Sequence, residues 1–126
     1  MKHPLKITEF RFKMYPNDFN KVRTFYESVL KLRVIEEWDS SPSKKGVMFD
    51  AGVAVIELLM RTQQYQPIAG VDLSVEVPDI WSLYKEIKME KYVVGELSKN
   101  SWGDTSLQIV DPEGLEITIF TRHDSA

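Results

Sequence analysis

An α+β fold built from two consecutive βαβββ modules is what the sequence predicts, and three observations lead there. Short stretches alternate apolar and polar residues, two stretches carry one apolar stripe at helical spacing, and the whole order recurs about 61 residues further on. In ITEFRFKM the period is two from Glu9 onward, with Phe10, Phe12 and Met14 opposite Glu9, Arg11 and Lys13, which predicts a half-buried strand. NDFNKVRTFYESVLKL places Phe19, Val22, Phe25, Tyr26, Val29 and Leu30 on one helical face behind an Asn17 or Asp18 cap. Three strands follow, LRVIEEW, GVMFD and VAVIELLM, separated by a polar loop over residues 39–45 and a turn at Asp50-Ala51-Gly52.

RTQQYQPIAG, residues 61–70, is polar and ends in glycine, as a connector would. The order then restarts. VDLSVEV alternates Val71, Leu73, Val75 and Val77 with Asp72, Ser74 and Glu76, a strand with one wet face. Pro78 suits the first turn of a helix over PDIWSLYKEIKME, whose stripe is Ile80, Leu83, Tyr84 and Ile87. Strands near YVVGEL and DTSLQIV, the turn DPEG and a final strand LEITIF complete the second copy. The 61-residue shift carries Asp18 onto Asp79 and Phe19, Val22 and Tyr26 onto Ile80, Leu83 and Ile87. The expected organisation is one domain over 1–126: module 1 at about 5–60, a linker at 61–70 and module 2 at 71–122.

Charge and composition exclude several classes. A net charge of −3, with 16 basic residues dispersed among 19 acidic ones, offers no basic stripe for a phosphate backbone, so no nucleic-acid partner is expected. MKHPLKITEF has no apolar signal core and no apolar run approaches a membrane span, so a cytoplasmic protein is the expectation. Without cysteine there is no thiolate nucleophile or disulfide. His3 and His123 fall near the two ends, where fraying is expected, so an internal site is expected to work without imidazole. There is no Gly-rich phosphate loop, G-x-S-x-G elbow or H-E-x-x-H pair, and adjacent Glu36 and Glu37 point to opposite strand faces. Glu57 stands out because it interrupts the apolar run VAVIELLM; a carboxylate there needs a partner, a cavity or an exposed strand end.

NDFNKVRTFYESVLKLRVIEEW, DLSVEVPDI and SWGDTSLQIVDPEGLEITIF, in this order and spacing, resemble the vicinal oxygen chelate superfamily of glyoxalases, bleomycin-resistance proteins and extradiol dioxygenases. The resemblance implies curved mixed sheets around a cup that binds a small molecule, commonly completed by a second subunit, hence a homodimer. Metal-dependent members take His or Gln from the first strand, Glu from the fourth, His or Gln from the fifth and Glu from the eighth. Those positions fall here on Arg11, Glu57, Asp72 and Thr118. A guanidinium does not ligate a cation, and a neutral hydroxyl is a poor substitute for carboxylate. Glu116 shares the parity of Thr118 but sits two residues, about 7 Å, away along a strand, and only a bulge would realign it.

The residues expected to bind a ligand are therefore Arg11, Glu57, Asp72, Trp102 and Thr118, with no metal; if Arg11 stands beside Glu57 or Asp72, its fixed charge takes the place that relatives give to a cation. Trp102 offers a flat face to a planar ligand or packs locally; Trp38, Phe49 and Tyr65 line the cup or pack as core, and Gly114 serves the turn. Loops 38–46 and 95–104 are expected to shape the cup. The reading is a metal-independent small-molecule-binding protein like the bleomycin-resistance members. The alternative is a glyoxalase-type lyase or isomerase with Zn, Ni, Mn or Co, in which Glu57 moves a proton; a dimeric interaction module is the third.

Overall fold

The computed structural model describes residues 4–63 and 69–123, which leaves His3 and Tyr65 outside the described residues. The chain divides into two compact units, Met1–Tyr65 and Gln66–Ala126. The first contains strand β1 (Arg11–Met14), helix α1 (Phe19–Thr24) running into a π-helical turn (Phe25–Val29), and strands β2 (Arg33–Ser41), β3 (Lys44–Asp50) and β4 (Val55–Leu59). The second contains β5 (Leu73–Glu76), α2 (Ile80–Ile87), β6 (Val93–Asn100), β7 (Asp104–Val110) and β8 (Glu116–Arg122). Each unit is a βαβββ module with a four-stranded mixed sheet, ordered β1-β4-β3-β2 and β5-β8-β7-β6. The first strand of each module pairs parallel to its last, and the other pairings are antiparallel. A parallel pair needs a long crossover, which the helix and the intervening hairpin supply.

The apolar stripes find their sheets. In the first unit Phe19, Val22, Phe25 and Tyr26 are buried with Val47, Phe49, Ile56 and Leu58. Phe25 meets Tyr26 edge-on at 4.9 Å, and Tyr26 meets Phe49 at 6.2 Å, so Phe49 is a core residue and not a cup residue. In the second unit Ile80 and Ile87 are buried with Leu107, Ile109, Ile117 and Ile119. Asp18 and Asp79 cap the two helices, accepting from the backbone N–H of Lys21 and Ser82 at 3.1 Å each. The hydroxyl and N–H of Ser82 hold the Asp79 carboxyl below its usual pKa. Thr121 adds a buried tie across the second unit, accepting from Ile80 N–H at 2.9 Å and donating to the Val77 carbonyl at 2.7 Å.

Several boundaries differ from the sequence expectation. The first strand begins at Arg11, leaving Ile7 and Phe10 exposed ahead of it. Pro78 precedes the cap Asp79 and lies outside the helix. Residues 39–45 form no loop: β2 runs to Ser41 and β3 starts at Lys44, a tight hairpin. Segment 95–104 likewise belongs to a hairpin, with β6 reaching Asn100. β2 and β6 are edge strands, wet enough to carry loop-like polar composition. β5, also an edge strand, lacks the buried face its alternation predicts, with Val71 and Val75 exposed. The π turn, closed by Leu30 N–H to the Phe25 carbonyl at 3.1 Å, has no sequence signal; Lys31 at φ +56° ends it in the left-handed conformation.

The turns before β4 and β8 differ in length by one residue. Residues 51–54 separate the paired Asp50 and Val55, and 111–115 separate the paired Val110 and Glu116. In the second, buried Asp111 accepts from Glu113 and Leu115 N–H at 2.8 and 2.9 Å, and Gly114 supplies the required φ of +91°.

Candidate functional site

Strand pairing is equivalent in the two modules. Lys13 is directly opposite Glu57, and Ser74 is directly opposite Thr118, so the 61-residue shift relates both pairs. Glu57 also pairs with Met48, giving a row Lys13, Glu57, Met48 across the first sheet. One row to one side Arg11 pairs with Val55; one row to the other Gly46 pairs with Leu59 and Trp38. Gly46 and Met48 share a face by alternation. A Cβ on Gly46 would meet Trp38 Cζ2 at 2.2 Å, so the indole lies flat over this glycine on the face that carries Glu57.

Glu57 is 6% exposed, and its Oε1 has no hydrogen-bond partner. The nearest cation is Arg11, whose Nη1 stands 3.5 Å from Oε1, too long to satisfy that oxygen yet close enough to pair its charge. The Arg11 Nε is taken by Glu9. That hydrogen bond, with the attraction of Glu9 and Glu57 and against partial loss of water, raises the guanidinium pKa further. Of the two placements considered for Arg11, beside Glu57 or beside Asp72, the geometry has the first.

The other expected ligands, Asp72, Trp102 and Thr118, lie in the second unit. Asp72 is exposed just ahead of β5. Thr118 donates its hydroxyl to Gln108 Oε1 at 2.9 Å, and Trp102, 76% exposed, donates its indole N–H to Asp104 at 3.1 Å. Strand β8 runs in unbroken register against both β5 and β7, with Glu116 opposite Val110. No bulge brings Glu116 to the Thr118 position.

These side chains do not fit a family-type metal. Among the described residues no three His, Cys, Asp or Glu side chains are grouped to hold a metal ion. The carboxylate at the fourth-strand position already faces a fixed positive charge, and a second cation beside Glu57 would be repelled by Arg11.

Sequence reasoning misses a second cluster. His123, expected to fray, donates its backbone N–H to the Gly103 carbonyl at 2.8 Å, and its ring Nε2 bonds Thr105 Oγ1 at 2.7 Å. Its ring lies nearly parallel to Trp81, at 23° and 6.4 Å between centroids. With Leu97 and Lys99 these residues line an open cleft of about 560 Å³ in the second unit. The signal is in the alternation: Ile117, Ile119, Thr121 and His123 share one parity, so the histidine falls on the buried face of β8 as that face runs out.

Two consecutive βαβββ modules, each with a four-stranded mixed sheet, define a class of α+β protein. The chain belongs to the Glyoxalase/Bleomycin resistance protein/Dioxygenase superfamily, whose pattern it matches over residues 8–119. No curated protein matches the sequence. Among solved structures it is similar to a member of the same superfamily from Sphaerobacter thermophilus, with TM-score 0.74 and 15% identity over 93% of this chain and 98% of that one. It is also similar to a lactoylglutathione lyase from Agrobacterium tumefaciens, with TM-score 0.67 and 16% identity over 94% and 95%. A fosfomycin resistance protein from Listeria monocytogenes gives TM-score 0.68 and 11% identity over 94% of each chain. At these identities the likeness is one of fold.

Proposed function

We propose that this protein binds a small organic molecule without a metal, as a cytoplasmic homodimer, using the polar face that carries Glu57. The observation that supports this reading is the ion pair of Arg11 with Glu57, which puts a fixed charge where a divalent ion would need a ligand. Glu57 Oε1, buried and lacking a donor, offers a ligand a hydrogen-bond acceptor, and Trp38, seated on Gly46, offers a flat apolar surface one row away. Asp72, Trp102 and Thr118 remain part of the proposed ligand-binding set. The test is elemental analysis of protein purified without chelator, with thermal melts in added Ni, Zn, Mn and Co. Stoichiometric metal with a large rise in melting temperature would refute the proposal; no metal and no shift support it. Light scattering checks the dimer.

A glyoxalase-type lyase or isomerase is the second reading. Glu57 Oε1 favours it, because a buried carboxylate oxygen that makes no hydrogen bond keeps its acceptor site for a group on the substrate. Turnover abolished by Glu57→Gln would establish it.

A further inference from the structure

We infer that the cleft lined by Trp81, Leu97, Lys99, Thr105 and His123 is a binding site for a planar aromatic carboxylate, separate from the Glu57 face and independent of the function proposed for it. Three observations carry this. The rings of Trp81 and His123 are stacked in an offset pair, at 23° with centroids 6.4 Å apart. Trp81 is nonetheless 46% exposed, so part of its indole stays open to a ligand. Secondly, His123 is held on two sides, by its backbone bond to Gly103 and its ring bond to Thr105, itself buried. The imidazole is thereby pre-set at the wall of the cleft, and an arriving ring need not order it.

Thirdly, the charge lining the cleft is of one sign. None of its five lining residues is acidic, and Lys99 supplies an ammonium that makes no ion pair with another described residue. Leu97 adds apolar wall. A volume of about 560 Å³ is within the range that accepts a small ring compound. A flat ring against the indole and imidazole with a carboxylate directed at Lys99 uses every lining group, whereas an aliphatic anion leaves the rings unused and a neutral ring leaves the ammonium unused.

The test is a titration of the ¹⁵N-labelled full chain with salicylate, with benzyl alcohol as the neutral control, following the indole N–H signals of Trp38, Trp81 and Trp102. A saturable shift of the Trp81 signal is expected, with affinity weakened about fivefold in Lys99→Met, the upper range for one exposed charge pair. Benzyl alcohol is expected to bind more weakly by a similar factor. Trp81→Leu, at a half-exposed position, is expected to remain folded by circular dichroism and lose the binding, read then from salicylate fluorescence. No saturable shift at Trp81, equal affinity in Lys99→Met, or saturation seen only at Trp38 or Trp102 would each overturn the inference.

Discussion

Replacing Glu57 with leucine should make the protein more stable. Its Oε1 is buried without a hydrogen bond, and such an atom costs on the order of 1–3 kcal/mol of desolvation. Attraction to Arg11 offsets only part of this, because that guanidinium is 43% exposed at 3.5 Å and remains bonded to Glu9. Leucine is close to glutamate in size and suits neighbours such as Met48 and Val55. Net stabilisation of about 1–2 kcal/mol follows, which for a chain of this length raises the melting temperature by roughly 3–8 °C. The assay is calorimetry of dialysed Glu57→Leu beside Glu57→Gln and the parent. A gain of stability with loss of ligand affinity marks Glu57 as a residue kept for binding at a cost to folding. A lower melting temperature in Glu57→Leu would refute the reasoning, since it would mean that the carboxylate is a satisfied structural group.

Gly46→Ala drives a methyl into the Trp38 indole, so we expect a loss of about 1–2 kcal/mol and a red-shifted tryptophan emission; unchanged emission would show that the ring is not seated there. Thr121→Val removes the donor to Val77 and the acceptor for Ile80 N–H, both buried, and should cost about 1–3 kcal/mol in chemical denaturation; a change below roughly 0.5 kcal/mol, the range of ordinary surface substitutions, counts against it. Because the Asp79 pKa is lowered on folding, its contribution is present above the unfolded carboxylate pKa and is lost as pH falls through the folded value. Asp79→Asn should therefore narrow the difference between neutral and acid melting temperatures, and an acid limb identical to the parent's would contradict this assignment.

The modules are legible in the sequence because each buries an apolar set at its own period: Phe19, Val22 and Tyr26 at helical spacing, Ile117 and Ile119 at strand spacing. Edge strands are harder to read. β2 past Trp38 and β6 past Leu97 are solvated along much of their length, so their composition matches that of loops while their backbones stay paired. Glu57 announces itself by breaking an apolar run, whereas Arg11 is singled out only by the family resemblance, since the strand pairing puts Lys13 opposite Glu57. The seating of Trp38 on Gly46 does not follow, because it depends on a hairpin register that a polar stretch does not reveal. His123 escapes for a different reason: proximity to a chain end suggests fraying, whereas its parity places it on the buried face, and Thr105 and Gly103 hold it there.

The Asp111 turn acts as an index pin for the last strand. A one-residue change in its length, uncorrected, would turn β8 over, sending Ile117 and Ile119 outward and Thr118 inward. With the strand so pinned, side chains on its polar face can be exchanged without altering which face is buried. Architecture and ligand chemistry are thereby separable in this chain. The superfamily scaffold can persist whatever side chains stand at positions 11 and 118, because the backbone hydrogen bonds that fix the register depend on neither side chain's identity.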